Sequence, residues 1–188
     1  EDNCEAILSN AFRADSVVYN VILGENIKSI FDYAFYSASS LKNVTFNDKL
    51  EYIGEYGFYD CPLNDKFFLS DNITHIGSYT FYSNENLEEI RLPKALESLE
   101  NNVINNSANL KSILIYNNIN NIVKTSFTVN TDTKLYYYGT KEEFDNISIT
   151  GYVTTIFDDT NRIYYFSENI PLTEGNFFHL FDKKIVEW

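Results

Sequence analysis

The segment Ile30-Phe31-Asp32-Tyr33-Ala34-Phe35-Tyr36 returns in altered form 23 residues later as Ile53 to Tyr59, and again as Ile76 to Tyr82. Self-similarity at a fixed period of roughly 20 to 50 residues marks a solenoid, because each unit can bury its apolar side only against neighbouring units. Stepping by 23 from Ile7 reaches Ile30, Ile53, Ile76, Leu99 and Ile122. The same step from Phe12 reaches Phe35, Phe58, Phe81, Ile104 and Phe127. Three more columns are apolar throughout: Val21 to Tyr136, Leu23 to Tyr138, and Cys4 to Ile119. These columns predict a stack of about six coils around one continuous core.

Each coil has room for two short extended pieces. Leu41-Lys42-Asn43-Val44-Thr45-Phe46 and Leu110-Lys111-Ser112-Ile113-Leu114-Ile115 share a spacing in which alternate side chains point inward. Ile27-Lys28-Ser29-Ile30 supplies the second piece, with Gly54 and Gly77 just after its equivalents, where a positive φ is expected. The units are too short for long helices, so strands, turns and brief 3₁₀ segments are expected.

With 14 basic and 27 acidic residues the net charge is −13, a field that repels phosphate backbones and anionic lipid, so nucleic acid is excluded as a partner. No apolar run is long enough to cross a bilayer, which argues against direct membrane insertion. A chain that opens on Glu1 reads as a processed form or an excised piece.

The pattern L-x-x-I-x-I followed by I-x-x-I-G-x-x-A-F-x-x-C is carried by the segments above, with Ala34-Phe35 as A-F, Phe58-Tyr59-Asp60-Cys61 as F-x-x-C and Leu92-Pro93 at a strand end. In this the chain resembles BspA-like leucine-rich repeat proteins over about residues 4–138, and the match decays at Val103-Ile104 and Ser126-Phe127. The resemblance implies a mainly-β, right-handed, curved solenoid of about six units over residues 1–138, with a small α+β cap over 139–188. It also implies a secreted or cell-surface module that works by binding host or microbial surface proteins, with no cofactor.

In the cap, Thr140-Lys141-Glu142-Glu143 is a capping box predicting a helix to about Ile147. Runs at Tyr152–Phe157 and Arg162–Phe166 flank Asp158-Asp159-Thr160-Asn161 and read as a hairpin. Asn176 to Phe181 and the turn Asp182-Lys183-Lys184 read as a second hairpin closing on Trp188. Tyr137-Tyr138-Gly139-Thr140-Lys141-Glu142-Glu143-Phe144 and Tyr165-Phe166-Ser167-Glu168 also resemble segments that follow the repeats in that family. The cap is expected to cover the last coil's core and strand edge, whereas the first coil starts almost at Glu1 and suggests further coils or another cap upstream.

Two surfaces stand out as candidate partner sites. The outward positions of the L-x-x-I-x-I strands are Ile22, Thr45, Phe68, Arg91, Leu114 and Tyr137, more apolar than a solvated face requires. They either dock a partner or lie under the C-terminal segment or a neighbouring molecule. The second is a double tyrosine strip, Tyr33, Tyr56 and Tyr79 beside Tyr36, Tyr59 and Tyr82, which serves either recognition or plain stacking of the outer wall.

No catalytic or metal motif is present: there is no G-x-S-x-G, H-E-x-x-H or phosphate loop. His75 and His179 read as structural. Asp158-Asp159 lacks regular calcium-loop spacing and reads as a solvated turn. Cys61 falls in a column of small or polar turn residues, Cys4 in an apolar one, and the two are too far apart along the stack to bridge, so two free thiols are expected. The alternatives to a binding module are a passive spacer, which predicts that Phe68, Leu114 and the tyrosines are covered or scattered, and a hydrolase with an unrecognised site.

Overall fold

The computed structural model describes residues 3–153 and 155–188. Its front sheet is built from one strand per coil: β1 Asn20–Ile22, β2 Asn43–Thr45, β3 Lys66–Phe68, β4 Glu89–Arg91, β5 Ser112–Tyr116 and β6 Lys134–Tyr138. It is extended by β7 Ile163–Phe166, β8 Phe177–Phe181 and β9 Lys184–Glu187. Coil stacking makes all pairs parallel except the terminal β8–β9 hairpin. Two-residue strands build further ladders behind it. Ala6–Ile7, Ser29–Ile30, Tyr52–Ile53 and His75–Ile76 pair in steps of 23. Phe81–Tyr82, Ile104–Asn105 and Phe127–Thr128 do the same.

The apolar columns are the core. Ile30, Ile53, Phe35, Phe58, Phe81, Ile104, Ile122 and Phe127 are all fully buried. Phe12, Phe35, Phe58 and Phe81 form a stack with centroids 5.1, 5.1 and 5.8 Å apart and planes within 4°. Such identical neighbours let each coil cover the next at coil spacing.

Backbone polar groups inside the turns are met by the small-residue column. Cys61 Sγ reaches Phe35 O at 3.0 Å, Asn84 Nδ2 donates to Phe58 O at 3.0 Å, and Asn130 Nδ2 donates to Ala108 O at 3.0 Å.

Positive φ does not fall on Gly54 or Gly77. It falls on Asn10, Tyr33, Tyr56, Tyr79 and Asn102, and four residues on at Ala14, Ser37, Asp60, Ser83 and Asn106, with φ between 50° and 62°. The two glycines are required for a different reason. A Cβ on Gly77 would lie 2.6 Å from Glu55 N, and one on Gly54 would collide with Asp32. Neighbouring coils approach there backbone to backbone.

The front sheet departs from its period twice. Between β5 and β6 the step is 22: Ile113 pairs with Leu135, Leu114 with Tyr136 and Ile115 with Tyr137. One residue is lost where Leu110-Lys111-Ser112 is matched by Thr133-Lys134, since Thr133 Oγ1 still reaches Leu110 O at 2.7 Å. A one-residue slip exchanges the two faces of a strand. Tyr137 therefore points into the core, 1% exposed against Phe144, and not outward, while Tyr136 takes the outward place. The inward columns that begin at Val21 and Leu23 end at Leu135 and Tyr137, not at Tyr136 and Tyr138.

The second departure is a break. β1–β2 form their own two-stranded sheet, and the seven-stranded sheet starts at β3. Leu63 is fully buried one position ahead of the place matching Leu41 and Leu87, and Asn64 N donates to Lys42 O at 3.0 Å. That offset lets β3 part from β2.

Beyond residue 138 the ladders continue: Ser148–Thr150 pairs with Asn121–Val123, and β7 pairs with β6. Helix α1, Lys141–Asp145, carries the expected capping box, with Thr140 N donating to Glu143 Oε2 at 2.7 Å. Its Phe144 packs edge-on to Tyr137 and Tyr165.

The run ending at Phe157 is not a hairpin arm. Ile156–Asp158 and Thr160–Arg162 are 3₁₀ turns, and only β7 is extended; Thr154 lies outside the described residues. Thr155 and Asp159 cap these turns locally, which favours tight turns over a ladder. The second hairpin is present, its turn at Asp182 and Lys183 with φ of 48° and 60°, as a twisted two-residue connection demands.

Cys4 is exposed, not a buried hydrophobe, and both cysteines are free thiols.

Candidate functional site

The expected outward row meets three different environments. Ile22 is 80% exposed, Thr45 is exposed and Phe68 is 46% exposed. Arg91 is held in place: it contacts Glu89 Oε1 through Nε at 2.9 Å and Nη2 at 2.7 Å, lies 4.4 Å over the Phe68 ring, and donates to Lys183 O. Leu114 does face outward, but it is fully buried with Tyr136 and Phe178 in a second apolar cluster, with Leu180 and Ile185 packed against it. The β8–β9 hairpin covers it.

Polar contacts fasten that hairpin. Glu187 Oε1 accepts from Tyr136 Oη at 2.5 Å and from Lys134 Nζ at 2.7 Å. Burial opposes ionisation of Glu187, but Lys134 and Tyr136 outweigh it and hold its carboxyl below the usual range. Burial first, and Glu187 second, push the Tyr136 phenol far up, so it remains a donor. Trp188 stacks on His179 at 4.3 Å and closes the end.

The folded-back hairpin makes a cleft of about 470 Å³ between its tip and the ends of β3–β6. Phe68, Tyr116, Tyr138 and Leu180 give it apolar walls; Asp71, Lys94, Asn117 and Asn118 give it a polar rim. The sequence reading missed Tyr116, Tyr138, Leu180 and Lys183, whose juxtaposition depends on the 22-residue step and on the hairpin. Across the hairpin, Lys66, Lys111, Lys134 and Lys184 border a wetter cleft with Glu89, Asp132 and Glu187.

The tyrosine strip forms as two rails on another face. Tyr33–Tyr56–Tyr79 stack at 4.8 Å, Tyr36–Tyr59–Tyr82 at 4.7 and 5.0 Å, all within 6° of parallel. Arg13 lies 5.5 and 5.0 Å over Tyr33 and Tyr36 at one end. At the other end the rails give way to Asn102 and Asn105, joined at 2.9 Å. Most ring area is spent on the neighbouring ring, so all six are half-buried.

The remaining candidate groups serve the fold. Asp158 pairs with Lys124 at 2.5 Å and caps Thr155 N; Asp159 pairs with Arg162 at 2.9 Å. His75 stacks on Tyr52 at 4.6 Å. Burial pushes the Cys61 thiol up to about 12. Among the described residues no three His, Cys, Asp or Glu side chains gather as metal ligands, and no helix is long and apolar enough to cross a membrane.

The sequence profile for the BspA type leucine rich repeat region matches residues 5–134 in six copies. No curated protein matches the chain significantly. Among solved structures, a leucine rich cell surface protein from Faecalibacterium prausnitzii A2-165 superposes with a TM-score of 0.70 at 21% identity, over 79% of this chain and 39% of that one. The pneumococcal vaccine antigen PcpA gives 0.67 at 19% identity, over 82% and 40%. A leucine-rich repeat protein from Bacteroides ovatus ATCC 8483 gives 0.51 at 20% identity, over 71% and 43%. The chain thus spans about two fifths of the length of each, and at these identities the likeness shows the fold.

Proposed function

The chain belongs to the BspA-type leucine-rich repeat family, and from that premise we propose that it is a non-catalytic module of a cell-surface or secreted protein that binds protein partners. The docking surface is the uncovered stretch of the front sheet, centred on Ile22, Thr45 and Phe68. One observation carries this. The outward apolar residue Leu114 is sealed beneath the protein's own hairpin, whereas Ile22 and Phe68 remain 80% and 46% exposed on the same side of the front strands. Large apolar side chains left in water on a built surface commonly mark an interaction site, and solenoids present extended surfaces to partners. One of the solved neighbours is named as a cell surface protein, which supports the same setting for this chain.

The spacer reading draws on Leu114, which is covered, and on the tyrosine rails, which are spent mostly on one another. It does not account for Ile22. The test is binding of the purified protein to an arrayed panel of extracellular host and microbial proteins, compared with an Ile22→Glu/Phe68→Glu double variant. The binding module loses its hits in the variant; a spacer has none to lose.

A further inference from the structure

We propose that the tyrosine rails are a site of oxidative cross-linking, at which a haem peroxidase with hydrogen peroxide joins Tyr56 to Tyr59, and Tyr79 to Tyr82, as dityrosine within one chain. The site is separate from protein docking at the front sheet. The reaction balances on the phenols. Each of two tyrosines loses one electron and its phenolic proton and becomes a phenoxyl radical. A carbon–carbon bond then forms between the ring carbons ortho to the two oxygens. The hydrogens on those carbons pass to the oxygens and restore both phenols. The pair has lost two hydrogens in total, and one hydrogen peroxide is reduced to two waters.

Geometry selects which rings couple. The new bond of dityrosine runs edge to edge between rings whose planes are tilted. Neighbours along a rail are only 4.7 to 5.0 Å apart, but they lie face to face within 6° of parallel and cannot meet edge to edge. Partners across the rails are tilted: Tyr33–Tyr36 by 47° at 5.7 Å, Tyr56–Tyr59 by 46° at 5.6 Å and Tyr79–Tyr82 by 43° at 5.8 Å. Coupling is therefore expected between residues three apart in sequence, not 23 apart.

Stacking meets the second requirement, that two radicals stand side by side. Rings in contact let an electron hop between neighbours, so the six rings pool oxidising events that strike any of them. All six are half-buried, which leaves each an edge in water for the oxidant. Two other tilted pairs, Tyr116–Tyr138 and Tyr136–Tyr164, have only phenylalanines as further aromatic neighbours. Each of those pairs also has a lysine over one ring, Lys94 on Tyr116 and Lys134 on Tyr164.

Charge orders the three rungs of the rails. The Arg13 guanidinium lies 5.5 and 5.0 Å from the centroids of Tyr33 and Tyr36. A cation over a ring opposes removal of an electron from it. The carboxylates of Glu55 and Asp60 adjoin Tyr56 and Tyr59, act on those phenols, and favour it. The middle and last rungs are therefore oxidised before the first.

The experiment treats the dilute intact chain with a haem peroxidase and hydrogen peroxide, isolates the monomer by size exclusion and maps it by tryptic mass spectrometry. Tyr56 and Tyr59 fall together in residues 50–66, and Tyr79 and Tyr82 in residues 67–91. The expected product is a loss of two hydrogens inside each of these peptides, with dityrosine fluorescence. Tyr59→Phe keeps the ring stack and abolishes the loss in residues 50–66. Arg13→Ala raises the share of the Tyr33–Tyr36 link by about twofold or more. Both variants are checked for the parent's urea midpoint. The proposal is overturned if the monomer loses no hydrogens, if linked peptides join Tyr56 to Tyr79 or another stacked pair, or if Tyr116–Tyr138 is the main product.

Discussion

Leu114 and Tyr136 stand opposite one another on β5 and β6, and both are buried with Phe178 of the terminal hairpin. This contact divides the front sheet into a sealed part and an open part. On the sealed part the chain has used its own C-terminus as the partner. On the open part Ile22, Thr45 and Phe68 stay exposed.

The apolar columns are expected to carry the stability. Phe58 is fully buried between Phe35 and Phe81, so Phe58→Ala costs about 3 to 5 kcal/mol. Phe68→Ala, on the surface, costs about 0.5 kcal/mol. Urea unfolding of the two variants measures the contrast, and equal losses would mean that the coil interior is misassigned.

Gly77 gives a sharper test of the stacking. Its backbone conformation suits any residue, yet a Cβ would press on Glu55 N from the adjacent coil. Gly77→Ala is therefore expected to destabilise by about 1 to 3 kcal/mol, as overpacking does. Gly24→Ala, with nothing within 4 Å of the added carbon, stays within about 0.5 kcal/mol of the parent.

The two thiols should differ in reactivity. Cys4 is exposed, whereas burial raises the Cys61 thiol to about 12. At pH 8 a thiolate-directed reagent is expected to modify one cysteine promptly and the second only after denaturant is added. Two prompt equivalents would place Cys61 outside the core.

Acid should loosen the hairpin. The folded-state pKa of Glu187 is lowered, from an ordinary value of 4.5. Its contribution is therefore complete above that value and is lost as the pH falls through the lower folded one. Glu187→Gln removes the carboxylate that Lys134 and Tyr136 hold. The expected result is a lower urea midpoint at pH 7 and a smaller further drop between pH 7 and pH 3 than in the parent, followed by Trp188 fluorescence.

The solenoid was legible in the sequence because every coil imposes the same demand on the same column. Ile30 and Phe35 repeat because they meet their own copies above and below. The departures were not legible in the same way. Replacing Leu110-Lys111-Ser112 by Thr133-Lys134 removes one residue without breaking the apolar run Leu135-Tyr136-Tyr137-Tyr138, since every member of that run suits either face. The only available hint was that Leu135 matches Ile113 at a step of 22 and not 23.

Local geometry misled at the turns. Glycine was expected to take positive φ, but Tyr33, Tyr56 and Tyr79 take it, as Asn10 and Asn102 do in the same column, and the glycines answer to backbone proximity. Of the candidate row, Ile22, Thr45 and Phe68 stay in water, Leu114 is covered by a hairpin whose docking no periodicity encodes, and Tyr137 is turned inward by the slip.

The most direct measurement compares the parent protein with Ile22→Glu/Phe68→Glu on the same immobilised extracellular proteins, with both chains showing the same unfolding midpoint. Binding through the open part of the front sheet predicts that the parent's affinity for its partner falls by about tenfold or more in the double variant. Undiminished affinity in a folded double variant would contradict the account.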